Sequence, residues 1–277
     1  MAEIGKINAL EVLRETENGL YLDGEELGEI LMPHKFITQE IRESNKATVF
    51  IYTDSEDRLV ATTETPLAKV GEFAYLKVLA TTPFGAFLDW GLPKDLLVPF
   101  SEQKAKMKEG GEYLVFVYLD TKTNRIVASA KLDKFLDKMQ PNCEQGENVE
   151  LIIAGETDMG YKAIVNRKYW GLLYKNQLFQ NLSTGQKTDG YVHKIREDGK
   201  IDLLLEKPGY DKVDSIAEMI LNELKKNNGF IAVSDKTSPE IIKNMFGISK
   251  NNFKKAIGAL YKRKLIFFAS DGIKFIQ

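Results

Sequence analysis

The chain carries one pattern three times, and the spacing between copies constrains its fold more tightly than any single motif. The clearest copy is residues 83–100, PFGAFLDWGLPKDLLVPF. It holds a turn at Phe84-Gly85, the alternating run Ala86-Phe87-Leu88, a second turn at Gly91-Leu92-Pro93, and Leu96-Leu97-Val98 stopped by Pro99. Alternating side chains between turn residues mark short half-buried strands. Gly19-Leu20-Tyr21-Leu22 and Ile30-Leu31-Met32-Pro33 repeat it, with Gly19 to Gly85 and Pro33 to Pro99 both 66 positions. Downstream, TVFIYTDSEDRLVAT (residues 48–62) answers LVFVYLDTKTNRIVAS (residues 114–129), each reading as a hairpin with a polar turn.

A third copy holds residues 159–165, MGYKAIV, then Trp170-Gly171-Leu172-Leu173-Tyr174, then the hairpin GYVHKIREDGKIDLLL. Gly85 to Gly160 and Val117 to Val192 are both 75 positions. Periodic copies of this kind decide architecture before local propensity does. Five short strands in about 65 residues are too few for a sandwich and suit a small closed barrel of the OB type. An SH3-like barrel has a similar strand count. The gaps at residues 35–46 and 101–110 can each hold a short helix, which favours OB. Residues 131–144 read as a short helix or linker.

After Pro208-Gly209 the apolar period changes from two to 3.6. Ile216, Met219, Ile220 and Leu224 line one helix; Ser238-Pro239 starts a second carrying Ile241, Ile242, Met245 and Phe246; Ser249 caps a third with Phe253, Ala256, Ile257 and Leu260. Two strands joined at Ser270-Asp271-Gly272 follow, and residues 230–233 can add a short third. The expected fold is therefore multidomain and mainly β: three tandem five-stranded OB barrels (1–66, 67–132 and 146–209), a linker at 133–145, and an α+β winged helix-turn-helix at 211–277.

With 277 residues, two to four compact units are expected. No apolar run approaches the roughly 20 residues that span a bilayer, no signal peptide is read at the N-terminus, and a single cysteine, Cys143, fits a reducing compartment. A cytoplasmic protein without membrane contact is expected. The net charge of −2 hides an asymmetry: residues 211–277 hold 12 basic and 7 acidic side chains, against 26 and 33 in residues 1–210. A basic module on an acidic body suits a polyanion partner, and equally intramolecular docking. No phosphate loop, dinucleotide fingerprint, nucleophile elbow or zinc helix is present. His34 and His193 lack companions at ligand spacing, and Cys143 lacks a histidine. No enzyme activity, metal or cofactor is expected.

At this point a family resemblance enters. GAFLDWGLPKDLLVPF resembles the core signature of the RNA-binding module repeated in bacterial ribosomal protein S-one. Three such modules followed by a winged helix, with SKNNFKKAIGALYKRKLI in its third helix, resemble the conserved virulence factor B family. The resemblance implies sequence-tolerant RNA binding without catalysis. It implies that Phe84 and Phe87 stack on bases, with Asn18 and Tyr21 at those positions in the first copy and Met159 and Lys162 in the third. Arg125, paired with Asp120, matches the polar pair of the last hairpin; Asp54 and Arg58 match it in copy one. Pro33, Pro99 and Tyr174 stand where the family has a histidine.

The residues themselves add two clusters. Tyr161, Lys162, Arg167, Lys168, Tyr174 and Lys175 interleave rings and cations, the mixture that a phosphate-following groove with stacking rings needs. Lys250, Lys254, Lys255, Lys262, Arg263 and Lys264 lie between Ser249 and Leu265 with no acid among them. Phe84 and Phe87 can also be read as barrel core, although the alternation turns Ala86 and Leu88 inward instead. Tyr161 and Tyr174 stay open between core and platform, while Trp90 and Trp170 read as core or interface and Asp120 as a turn residue. The expected function is binding of single-stranded RNA by a monomer, in post-transcriptional regulation, with DNA as a second candidate partner. Two other readings stand: a duplex-DNA-binding regulator with the barrels as protein platforms, and a ribosome- or polymerase-associated scaffold.

Overall fold

The structure is a computed structural model and describes residues 1–178, 180–206 and 212–276, so the change of period at Pro208-Gly209 lies outside the described residues. In the first copy β1 (Ile7–Thr16), β2 (Gly19–Asp23), β3 (Glu29–Pro33), α1 (Gln39–Ser44), β4 (Lys46–Thr53) and β5 (Leu59–Thr62) form a barrel closed in the order β1-β2-β3-β5-β4. β3 and β5 run parallel, and every other neighbouring pair is antiparallel. The second copy, β6 (Phe73–Thr82), β7 (Gly85–Leu88), β8 (Leu96–Pro99), β9 (Glu112–Asp120) and β10 (Arg125–Ser129), closes in the same order. So does the third, β11 (Asn148–Glu156), β12 (Gly160–Val165), β13 (Tyr169–Tyr174), β14 (Lys187–Ile195) and β15 (Ile201–Leu204). The OB expectation holds in all three.

The copies agree in detail. The first strand of each barrel is bulged between Val12 and Arg14, Val78 and Ala80, and Ile153 and Gly155, at the same 66- and 75-residue offsets. Each bulge bends its strand so that one long strand can serve two edges of a small barrel. Each second strand opens on a glycine, and a Cβ there would lie 2.0, 2.2 or 1.9 Å from the carbonyl oxygen of Met32, Val98 or Leu173. Only glycine fits so close an approach of facing backbones. Of the two helices expected after the third strands, the one in residues 35–46 forms and the one in residues 101–110 does not. Thr38 caps the former, accepting from the Ile41 amide at 3.4 Å, and Asn45 ends it in the left-handed conformation at φ 53°. The position offset by 66 from Thr38 is Lys104, which has no acceptor to offer the helix start. A single 3-10 turn stands there in barrels two and three (Phe100–Glu102 and Lys175–Gln177).

Residues 1–137 form one compact unit and residues 138–277 a second. In the first, barrels one and two share an apolar layer in which Phe50, Tyr52 and Val60 from barrel one join Trp90 and Leu92 from barrel two. Phe50 meets Trp90 edge-on, with ring centres 5.8 Å apart. The chain leaving β10 folds back on barrel two: Leu132 and Leu136 are buried and Phe135 stacks on Phe116 at 4.2 Å.

The second unit ends in the winged helix. α2 (Lys212–Lys226), β16 (Phe230–Ile231), α3 (Pro239–Phe246), α4 (Lys250–Lys262), β17 (Ile266–Phe268) and β18 (Ile273–Phe275) build three helices and a sheet ordered β16-β18-β17. Ser238 and Ser249 cap α3 and α4 by accepting from the Ile241 and Asn252 amides, and Gly247 at φ 69° stops α3. The buried faces are narrower than the apolar pattern implies. Ile216, Ala217, Ile220 and Leu224 of α2 and Ile242 and Phe246 of α3 point inward, whereas Met219, Ile241 and Met245 are exposed. The stripe read for α4, Phe253, Ala256, Ile257 and Leu260, is buried throughout.

Candidate nucleic-acid interface

In barrel two, Ala86 and Leu88 are buried and Phe87 points out, its backbone paired with Leu97 of β8. Phe84 is 76% exposed. An aromatic ring left this far in water contributes nothing to the barrel core, so the core reading of Phe84 does not apply. Gly85 pairs with Pro99, so Phe84 and Phe100 flank the same end of the β7-β8 ladder, and Phe100 is itself exposed. Phe100 was not a candidate in the sequence. Its place next to Pro99, directly after a strand whose partner begins at Gly85, is the signal that marks it.

Arg125 takes another role. It donates to Asp57, on the last hairpin turn of barrel one, and Lys94 lies 3.6 Å from the same carboxylate. Lys94 also donates to the Asp54 carbonyl at 2.5 Å. Arg125 is thus committed to the junction between the barrels instead of standing open beside Phe87. Asp120 behaves as a turn residue, accepting from the Lys122 amide and the Thr123 hydroxyl. In barrel one, the Arg14 guanidinium sits 4.0 Å over the ring of Tyr21, and Arg58 is spent on Asp54 at 2.7 Å. In barrel one the ring that stands at the Phe87 position thus has one of the protein's own cations over it.

The hydrogen bond from Arg125, reinforced by its charge and by Lys94, holds the Asp57 carboxyl below the usual carboxylate range. A depressed carboxyl contributes stability above its unfolded pKa, near 3.9, and loses that contribution as pH falls through its folded value. Asp57→Asn is accordingly expected to lower the melting temperature of the first unit near neutral pH, by an amount that shrinks as pH falls below about 4. Thermal unfolding followed from pH 2.5 to 7 measures the difference.

Barrel three divides its ring-and-cation cluster. Tyr161 and Lys162 are neighbours on β12 and therefore face opposite ways. Tyr161 is buried in the barrel core with Ala163 and Leu173, which corrects its assignment as a contact. Lys162 faces out, its ammonium 3.5 Å from the ring centre of Trp170 on β13. Trp170, Leu172 and Tyr174 share the outward face, so Trp170 is not core, and Lys162 lies over one face of its ring as Arg14 lies over Tyr21 in barrel one. The β12-β13 hairpin separates the remaining cations by about 17 Å, five strand residues. Arg167 lies at its turn, 3.4 Å from Glu150, with exposed Lys168 beside it, and Lys175 lies at the other end, 2.5 Å from Glu156. Arg196 and Asp202, absent from the sequence-based candidates, complete the face. Arg196 donates to Asp202 at 2.9 Å and to the Tyr174 hydroxyl. Alternation in Ile201-Asp202-Leu203, with both flanking residues buried, is the signal that turns Asp202 outward.

On α4 the cations lie opposite the buried stripe. Lys254, Lys255, Lys262, Arg263 and Lys264 are exposed and Lys250 is half-buried. Gly258 lies among them, with no atom within 4 Å of where its Cβ would be. Among the described residues there is no cluster of ligand-type side chains able to hold a metal ion, and no helix long and apolar enough to cross a membrane.

Residues 4–64 and 70–131, the first two barrels, match the S1 domain family, and residues 218–275 match the CvfB-like winged helix domain. S1-type barrels joined to a winged helix define a nucleic-acid-binding protein. The first two barrels thus belong to the S1 domain family and the C-terminal domain to the CvfB-like winged helix family. It is similar to the uncharacterised protein YitL of Bacillus subtilis, 27% identical over 282 residues, 95% of this chain and 90% of that protein. It is equally similar to conserved virulence factor B of Staphylococcus saprophyticus, 27% identical over 292 residues, 99% of this chain and 95% of that protein. Among solved structures, a multidomain protein with nucleic acid binding domains from Streptococcus pneumoniae is 25% identical and covers 99% of this chain and 98% of its own, with a TM-score of 0.42.

Proposed function

We propose that the protein is a cytoplasmic, monomeric binder of single-stranded RNA that acts in post-transcriptional regulation and carries out no reaction of its own. The observation that carries the reading is Phe84, 76% exposed on an S1-type barrel, three positions before the outward-pointing Phe87. Ring platforms of this kind accept any base, because every base has a π face, and so give sequence-tolerant binding. The outward face of barrel three adds Trp170 under Lys162 and Tyr174 beside Arg196. The lysine face of α4 supplies charge for the phosphate backbone, as does exposed Lys168, whereas Lys175 is paired with Glu156. Tyr161 and Arg125 leave the contact set for the reasons of burial and pairing given above.

A second reading has one observation in its favour: an exposed cationic third helix also fits the major groove of duplex DNA. Fluorescence anisotropy separates the two, using a 20-nucleotide RNA, the same sequence as single-stranded DNA, and its DNA duplex at two salt concentrations. Tighter binding of the single-stranded RNA is the expected result. Tighter, sequence-dependent binding of the duplex overturns the reading in favour of the winged-helix regulator.

A further inference from the structure

The wing sheet presents a feature that neither the S1 barrels nor α4 accounts for. The register pairs Phe230 with Lys274 and Lys274 with Phe267, so these three side chains form one row across the sheet. On the other side of the same sheet Ile231, Ile266 and Ile273 are buried in the domain core, and Phe268, at its margin, lies 5.1 Å from the ring of Tyr261. The outer row is open: Phe267 is 43% exposed and Lys274 is exposed, with its ammonium 5.6 Å from the ring centre of Phe230. Gly272 sets the position of the Phe230 ring. A Cβ there would lie 2.9 Å from that ring's edge and 2.1 Å from the Ile231 carbonyl oxygen. Lys225 and Asn228, from the end of α2 and the turn after it, and Asp271, from the turn before β18, line a groove beside the row.

We propose that this outer face is a second single-stranded nucleic-acid site, in which bases lie on the rings of Phe230 and Phe267 and the phosphates between them meet Lys274 and Lys225. The proposal rests on the nucleic-acid reading above and deepens it. Two flanking strands of a sheet stand about 10 Å apart, so the two rings form separate platforms with a cation between them. Sheet rings used in this way stack unpaired bases, and the interleaved ammonium discriminates in favour of an anionic chain over an apolar peptide. Two lysines against one aspartate give the groove a positive balance. A core-facing or merely structural role does not explain Phe267, because the apolar side of the sheet is already filled without it.

The test uses the full chain and a fluorescein-labelled 15-nucleotide oligouridine. Phe267→Leu keeps the apolar bulk and removes the π face, while Phe267→Tyr keeps the ring. Phe267→Leu is expected to weaken binding about tenfold, the loss of one stacked base, with the melting temperature unchanged. Phe267→Tyr is expected to bind as the parent does, and Lys274→Gln to weaken binding and lower its dependence on salt. Parent-like affinity of both Phe267→Leu and Lys274→Gln, in a parent protein that binds the RNA, overturns the wing-sheet site and leaves the function standing. Equal weakening by Phe267→Leu and Phe267→Tyr overturns stacking at this position. Failure of the parent protein to bind the oligouridine overturns both together.

Discussion

Replacing Phe84 and Phe87 by alanine is expected to weaken single-stranded RNA binding about 100-fold while the second barrel stays folded. Stacking of a base on an aromatic side chain contributes about 1–3 kcal/mol. The two rings lie three positions apart and would meet the same RNA strand, so their contributions fall short of a simple sum. Phe84→Ala alone is expected to cost about 2 kcal/mol of affinity, roughly 30-fold. The same change should move stability by less than about 0.5 kcal/mol, because the ring is exposed and packs little of the protein. Phe87 is half-buried, and its loss is expected to cost about 1 kcal/mol of stability. The two readouts are anisotropy with a single-stranded RNA and thermal unfolding by circular dichroism. Lost folding together with lost binding returns these rings to the core; unchanged affinity moves the RNA site away from barrel two.

The architecture was legible because duplication wrote it down more than once. A single five-strand pattern leaves OB and SH3-like barrels open, but a shared offset at the motif and the terminal hairpin fixes which segments are equivalent. The bulges were not legible: nothing in Val12, Val78 or Ile153 differs from an ordinary strand residue. The site was read less well, for two physical reasons. Tyr161 was misplaced although its neighbour carried the answer, since a lysine facing out at 162 requires residue 161 to face in. Composition alone, rings mixed with cations, ignored that phase. Arg125 failed differently. Its partner Asp57 lies in another barrel, 68 positions away, and a contact between modules leaves no periodic trace in either. Met219, Ile241 and Met245 show the converse limit, since a helix face can be more apolar than the surface it has to cover.

Neutralising Lys254, Lys255 and Lys262 together, each to glutamine, is expected to weaken RNA binding about 100-fold near 0.1 M salt and to flatten its salt dependence. Each phosphate contact on a single strand contributes about 0.7 to the slope of log affinity against log salt, so losing three should lower it by roughly 2. The stability effect should have the opposite sign. Lys250 and Lys254 are like charges one turn apart, a pairing that costs a helix about 0.2–0.5 kcal/mol, and the first turn of α4 has no acid to favour its dipole. Gly258, at the open centre of the same face, costs the helix about 1 kcal/mol relative to alanine. On the proposed reading, these costs are offset by the anionic partner that docks on that face. Weaker binding, a lower slope and an equal or slightly higher melting temperature would together mark these lysines as backbone contacts. An unchanged slope would assign them to solvent, and binding lost with the slope intact would point to a damaged fold.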